Sequence, residues 1–264
     1  MKTVWIFLFL VLACPRYIDT KFPIDPSLLS IPAKPLAPLL VLPAKPLVPT
    51  CFPHIPYDKP GPYTVKTLEK VGPRNAFTIF MPNFLSCKYP IVSWSGDISI
   101  NDKLLIHLAS HGFIVVATKR KLGTGESLII GASWVLLQDK IRSSPFYRKI
   151  KERVCAAGHL LGGRGAIRTA TSNLVSCVLV IQPAKVSKTL KIDAPLFAIS
   201  DEQMQVWSST FTLIGIVKEQ HSLNKYVTAW MYAQLLDDVH AKKLFYGKDC
   251  GICSDTNWTI TREN

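Results

Sequence analysis

AAGHLLGGRGAIRTA, residues 156–170, sets two glycines four positions apart among small residues and places a leucine midway between them. Just upstream, VCAA (154–157) is short and apolar, as a buried strand would be. Residues 163–171 have the composition of a helix, and GHLLG (158–162) is the tight turn between the two. A strand that turns at glycine and runs at once into a helix is the setting of a nucleophile elbow, G-x-S-x-G. There the glycines permit a strained turn and let strand and helix approach closely. Gly158 and Gly162 stand in the glycine positions, His159 and Leu161 in the two x positions, and Leu160 in the nucleophile's.

Outward from this stretch, apolar runs and helical periods alternate. Residues 77–80, 91–94, 113–117, 178–181 and 196–199 read as strands. Residues 104–111, 127–137 and 226–238 carry helical spacing. Strands alternating with helices predict an α/β fold with a mostly parallel central sheet covered by helices on both faces.

The N-terminus has a different character. Lys2 precedes a ten-residue apolar run at residues 4–13, VWIFLFLVLA, too short for a membrane span of about 20 residues but suited to a signal peptide. Pro15 follows at once, and small residues at Ala13 and Cys14 offer a cleavage site; VLAC also reads as a poor lipobox. The chain is therefore expected to be secreted, with no transmembrane span. Of its 19 prolines, 12 fall within residues 22–62, where PAKPLAP (32–38) returns as PAKPLVP (43–49). Proline this dense fixes φ and removes donors, which predicts an extended arm outside the core. The expected organisation is a signal peptide at 1–20, a proline-rich segment at 21–60 and an α/β domain at 61–264.

With Cys14 removed, Cys51, Cys87, Cys155, Cys177, Cys250 and Cys253 remain, an even set that suggests disulfides in an exported chain, with fifteen pairings open. Cys250-Gly-Ile-Cys253 has metal spacing but no second ligand pair, so no metal or cofactor is expected. The net charge of +13 favours anionic partners such as an acidic extracellular matrix or polysaccharide. The absence of an arginine-rich run or an RNA-type aromatic motif argues against nucleic acid. Asn257-Trp258-Thr259 is an N-glycosylation sequon.

Residues 158–170 resemble the G-H-S-x-G-G-G-G-A-I stretch of secreted polyester hydrolases, cutinases and lipases of the α/β-hydrolase superfamily, relatives of dienelactone hydrolase. The resemblance continues through LLIHLASHGFIVVATKRKLGTG (104–125), SSPFYRKI (143–150), IQPA (181–184), YVTAWMYAQLLDD (226–238) and LFYGKDCGICSDTNWT (244–259), and so spans the domain. It implies an α/β-hydrolase fold with the elbow serine replaced by Leu160. It places the base on His221, and the acid near Asp201, with Glu202 beside it; an ungapped alignment puts Gln203 or Met204 there instead. The first oxyanion donor would be the backbone N–H of Leu161. The second would come from SWSGDIS (93–99) at Gly96, where Asp97 would set a negative charge close to the developing oxyanion.

Leucine has no atom able to attack a carbonyl. The reading that results is a secreted, basic, catalytically inactive hydrolase-fold protein that acts by binding, either to an extracellular matrix or to an apolar or ester-like ligand in the old cleft. One alternative is an active secreted carboxylic-ester hydrolase with a displaced nucleophile. Another is a purely structural matrix component.

Overall fold

Short runs of Val, Ile, Leu and Phe buried on both sides can only be central strands, and they dominate the fold. The structure, a computed structural model, describes residues 51–118, 124–185, 192–200, 212–217 and 223–263. In chain order these form β1 (Val65–Val71), β2 (Phe77–Pro82), β3 (Tyr89–Ser95), α1 (Ile98–Ser110), β4 (Ile114–Thr118), α2 (Glu126–Gln138), β5 (Ile150–His159), α3 (Leu161–Arg168), β6 (Cys177–Ile181), β7 (Leu196–Ser200), β8 (Thr212–Val217), α4 (Leu223–Leu235), α5 (Val239–Lys242) and β9 (Trp258–Glu263).

All nine strands join one sheet in the order β1-β2-β4-β3-β5-β6-β7-β8-β9. The pairs from β4 through β3, β5, β6 and β7 to β8 are parallel. β1 and β2 at one end and β9 at the other add antiparallel pairs. The expected α/β class with a mostly parallel sheet is what forms. β1, β8 and β9 were not anticipated. β1 alternates charge with isolated apolar residues, KTLEK, and none of its residues is fully buried, so its sequence carries little strand signal.

Side chains alternate across the sheet as the pleat requires. Val92, Trp94, Val115, Ala117, Cys155 and Leu179 face a core built with α1 and α4. Ala156, Val178, Val180 and Ala198 face α3, while Ile91, Ile114 and Val116 face α2. From β3 the chain crosses to β4 on one side, yet β5 lies on the other side of β3. That reversal makes a topological switch point at the C-terminal ends of β3 and β5, the place where open α/β sheets receive ligands.

Among the described residues the cysteines form three disulfides: Cys51–Cys87, Cys155–Cys177 and Cys250–Cys253. Cys155 and Cys177 occupy facing positions of β5 and β6 within the core. Among the described residues no helix is long and apolar enough to cross a membrane. The expected signal peptide, and the expected proline-rich segment as far as residue 50, lie outside the described residues.

The packed domain reaches further upstream than Gly61. Residues 51–60, read from their prolines as part of the arm, are strapped onto α1 and α4. Tyr57 is buried, and its hydroxyl donates to Asp238 Oδ1 at 3.1 Å. Phe52 packs against Tyr89 and Tyr232. Two histidines of α1's C-terminal turn hold the strap's backbone: His107 Nε2 donates to the Tyr57 carbonyl at 2.9 Å and His111 Nε2 to the Lys59 carbonyl at 2.8 Å. Aromatic anchors and satisfied carbonyls outweigh the proline content that suggested a free segment.

These histidines make the strap sensitive to acid. Burial pushes His111 down to about 4 and also lowers His107; the nearby His107 ring adds to the effect at His111. Their folded values lie below the ordinary 6.5, so the unfolded chain binds protons first as pH falls. The stability they contribute is complete above about pH 6.5 and is lost progressively toward pH 4. Denaturant titrations at pH 7 and pH 4.5 should differ by about 2–3 kcal/mol, with most of the difference from His111. The carboxyls of Asp139, Asp237 and Asp255 are held below 3.8 and titrate beneath this window. A flat profile between pH 7 and 4.5 would contradict the assignment.

Candidate functional site

The turn between β5 and α3 is strained at one residue. Leu160 sits at φ 52°, ψ −119°, a conformation that suits glycine and costs another residue about 1–3 kcal/mol. Its N–H donates to the Ile181 carbonyl of β6 at 3.1 Å. Its carbonyl accepts from Arg164 N at 3.1 Å and Ala184 N at 3.0 Å. These bonds hold the apex in place, and the leucine side chain projects with 51% of its surface exposed.

Both flanking glycines are required by close approach, not by φ. A Cβ on Gly158 would lie 2.5 Å from the Gly162 carbonyl carbon and 2.6 Å from the Ser95 oxygen. A Cβ on Gly162 would run into the Ser95 carbonyl itself and come within 2.9 Å of Gly96 N. The end of β3, the end of β5 and the start of α3 therefore meet backbone to backbone.

The strain at Leu160 can be tested directly. Glycine adopts this φ/ψ freely, and a half-exposed leucine forfeits little burial when truncated. Relief of strain should exceed the extra entropy of glycine in the unfolded chain by about 1 kcal/mol, so Leu160→Gly should raise the thermal midpoint by roughly 2–4 °C. A fall of several degrees would mean that the leucine side chain itself holds the turn.

Around the apex lie residues from three strand ends. Leu161 is the first residue of α3, so its N–H belongs to the turn of a helix that has no internal acceptor; its side chain is 45% exposed. Gly96 follows β3, and a Cβ there would come within 3.2 Å of His159 Cβ and 3.3 Å of Trp94 Nε1. Asp97 caps α1: its Oδ1 accepts from Ser99 N at 3.0 Å and from Ser99 Oγ at 2.6 Å. The carboxylate expected to oppose an oxyanion thus has a local structural role at the helix start.

His159 is half-buried beside the apex, bridging two amides. Asn101 Nδ2 lies 3.5 Å from its Nδ1, and its Nε2 lies 3.3 Å from Gln182 Oε1. An amide N–H donates and an amide oxygen accepts, so Nδ1 accepts from Asn101 and the Nε2 side donates to Gln182. Asn101 Nδ2 also donates to the Asp97 carbonyl at 2.7 Å. Sequence reasoning missed Asn101 and Gln182. Asn101 stands in the first turn of a helix predicted to begin later, and Gln182 directly follows β6 at a positive φ of 44°.

Two polar groups at the end of β3 have no partner among the described residues: the Trp94 indole N–H and the Ser95 hydroxyl, both buried. Ser95 is the hydroxyl nearest the apex in the register, opposite Gly158. No described side chain is placed to take its proton, and a serine without an adjacent base is a weak nucleophile. His221, Asp201 and Glu202 lie outside the described residues. Asn257 is exposed in the turn before β9, where its N–H donates to Asp255 Oδ1 at 3.0 Å. Among the described residues no group of three His, Cys, Asp or Glu could hold a metal ion.

Among the described residues, the ends of β3, β5 and β6 present an apolar apex, backbone donors and an amide–imidazole–amide bridge. No protein-family model matches the sequence, and no curated protein matches it significantly.

Proposed function

We propose that the chain is a catalytically inactive α/β-hydrolase-fold protein, related to secreted polyester hydrolases, cutinases and lipases, that works by binding an apolar or ester-like ligand at the former catalytic crevice. The observation that carries this reading is the apex. A strained, backbone-locked turn at the C-terminal edge of a parallel sheet is where such enzymes present a nucleophile, and here it presents the hydrocarbon of Leu160.

Other features agree. The strain costs free energy that an ordinary strand–helix connection would not carry, which fits descent from an enzyme. The unpaired Trp94 N–H and Ser95 hydroxyl cost about 1–3 kcal/mol each when buried without partners, and groups of this kind concentrate at ligand sites. The half-exposed Leu160 and Leu161 supply apolar surface beside them. The N-terminal signal, the disulfides and the charge of +13 fit secretion toward an acidic matrix or polysaccharide, with the proline-rich segment as a stiff tether. The sequon would make Asn257 a glycan site.

The test is chemical. The secreted wild-type protein should leave a fluorophosphonate probe unreacted and hydrolyse a short-chain p-nitrophenyl ester no faster than a heat-killed control. Rapid ester turnover that survives His221→Ala would overturn the reading in favour of a displaced nucleophile.

A further inference from the structure

A second concavity lies apart from the elbow. It has a volume of about 360 Å³ and opens between the β1–β2 turn, the end of β4 and the start of α2. No residue of β5 or α3 lines it. Pro73, Ala76, Phe77 and Ile130 give it an apolar wall, and its polar groups include the Arg74 side chain and the Ser127 hydroxyl.

Both of these are unspent donors. Ser127 Oγ is buried and has no partner among the described residues. A helical serine ordinarily satisfies its hydroxyl on its own helix or in water, and this one faces a cavity roomy enough for more than water. Arg74 is exposed, forms no ion pair among the described residues, and no acidic side chain lines the cavity. The turn that presents it is fixed in an unusual shape. Arg74 and Asn75 both have left-handed backbones, at φ 56° and 53°. Gly72, at φ 74°, packs so tightly on Phe77 that a Cβ there would lie 2.6 Å from the ring. Arg74 and Phe77 thus line the same cavity from the two ends of this turn.

We infer that this cavity binds a small carboxylate with an apolar body, its carboxylate on Arg74 and Ser127 and its body against Phe77 and Ile130. One planar guanidinium and one hydroxyl match the two oxygens of a carboxylate. A phosphate has more oxygens than these donors serve and has no use for the apolar wall. The volume is at the small end of ligand pockets, which sets the body at about one aromatic ring with a short chain. The net charge of +13 draws such an anion to the surface.

The probe is 4-phenylbutyrate, titrated calorimetrically and by saturation-transfer NMR into the full secreted protein, with 4-phenylbutanamide as the neutral analogue and inorganic phosphate as the bare anion. The acid should bind about tenfold more tightly than the amide, a charge-assisted bond being lost in the latter. Arg74→Gln should erase that preference, and Ser127→Ala should weaken the acid about threefold. Ile130→Trp, which fills the cavity from an exposed position, should abolish binding of both, and each variant's fold is checked by circular dichroism. Absence of binding to the wild type, binding that survives Ile130→Trp, or phosphate binding as tightly as the acid would each overturn the inference. Leu160→Trp serves to separate the two sites: loss of binding there, with Ile130→Trp unaffected, would place the ligand at the elbow and refute this cavity.

Discussion

Gly162→Ala should lower the thermal midpoint of the protein by about 10 °C or leave it unable to fold. Local propensity points the other way: alanine inside a helix is favoured over glycine by about 1 kcal/mol. The contact decides the sign. A Cβ at this position meets the Ser95 carbonyl and Gly96 N, which are backbone atoms of β3 and its following turn and cannot rotate aside. β3 is in turn clamped between β4 and β5 in parallel register. Relief requires α3 to lift from the sheet, taking Ala166 and Ile167 out of their packing with Val178 and Val180. Overpacking of this kind costs about 3 kcal/mol, which for a domain of this size corresponds to the stated fall. Gly247→Ala is the matched control. Gly247 has φ 93° but nothing within 4 Å of its added Cβ, so only backbone strain of about 1–2 kcal/mol applies. If Gly162→Ala proves no worse than Gly247→Ala, the close approach of α3 to β3 is not as described.

Leu160→Ser should be labelled by a fluorophosphonate that is expected to leave the wild type untouched. The backbone at the apex already has the strained geometry, held by Ile181, Arg164 and Ala184, so the substitution adds an Oγ without rebuilding the turn. The Leu161 N–H survives any side chain at 160. Recovery should still be partial. On the proposed reading a second oxyanion donor would come from the turn at Gly96, and one missing donor costs roughly 10²–10³ in turnover. The bound expected is labelling within hours and ester hydrolysis at least about tenfold over the wild type, against the many orders of magnitude that separate an intact triad from water. Adding His221→Ala should remove both signals. Should Leu160→Ser remain inert while keeping its fold, the base is absent from the crevice and the proposed descent from a serine hydrolase loses its main support.

Much of the fold was legible because burial on both faces leaves an unmistakable trace. The runs at 77–80, 91–94, 113–117, 178–181 and 196–199 fall on strands, within one to two residues at most ends; the elbow's strand and helix also form, but the strand runs on through His159 and the helix begins at Leu161, so the expected turn at 158–162 narrows to Leu160. β1, β8 and β9 were not read as strands. β1 and β9 are edge strands with one antiparallel neighbour, and an edge strand needs no continuous apolar run; β8 is an interior strand whose apolar run, TLIGIV, was overlooked. The start of α1 was also missed. Its first turn, ISIN, is capped by Asp97 and partly exposed, so the apolar period begins only at Leu104.

For the site, sequence alone determined that position 160 carries no nucleophile. That is a matter of side-chain chemistry, which no fold can alter. It also pointed to six cysteines, Cys14 aside, as an even set for disulfides, though not to which partners they take. Tertiary structure alone decided the rest. The pairings Cys51–Cys87 and Cys155–Cys177 depend on strand neighbours and on how the strap lies. The bridge of Asn101, His159 and Gln182 draws on residues up to 81 positions apart, brought together only because β3, β5 and β6 end side by side. Residues 51–60 looked like linker until two histidines of α1 were seen to take their carbonyls. In each case the deciding contact is between groups distant in the chain, and a local pattern of residue types carries no information about which distant group will satisfy a donor.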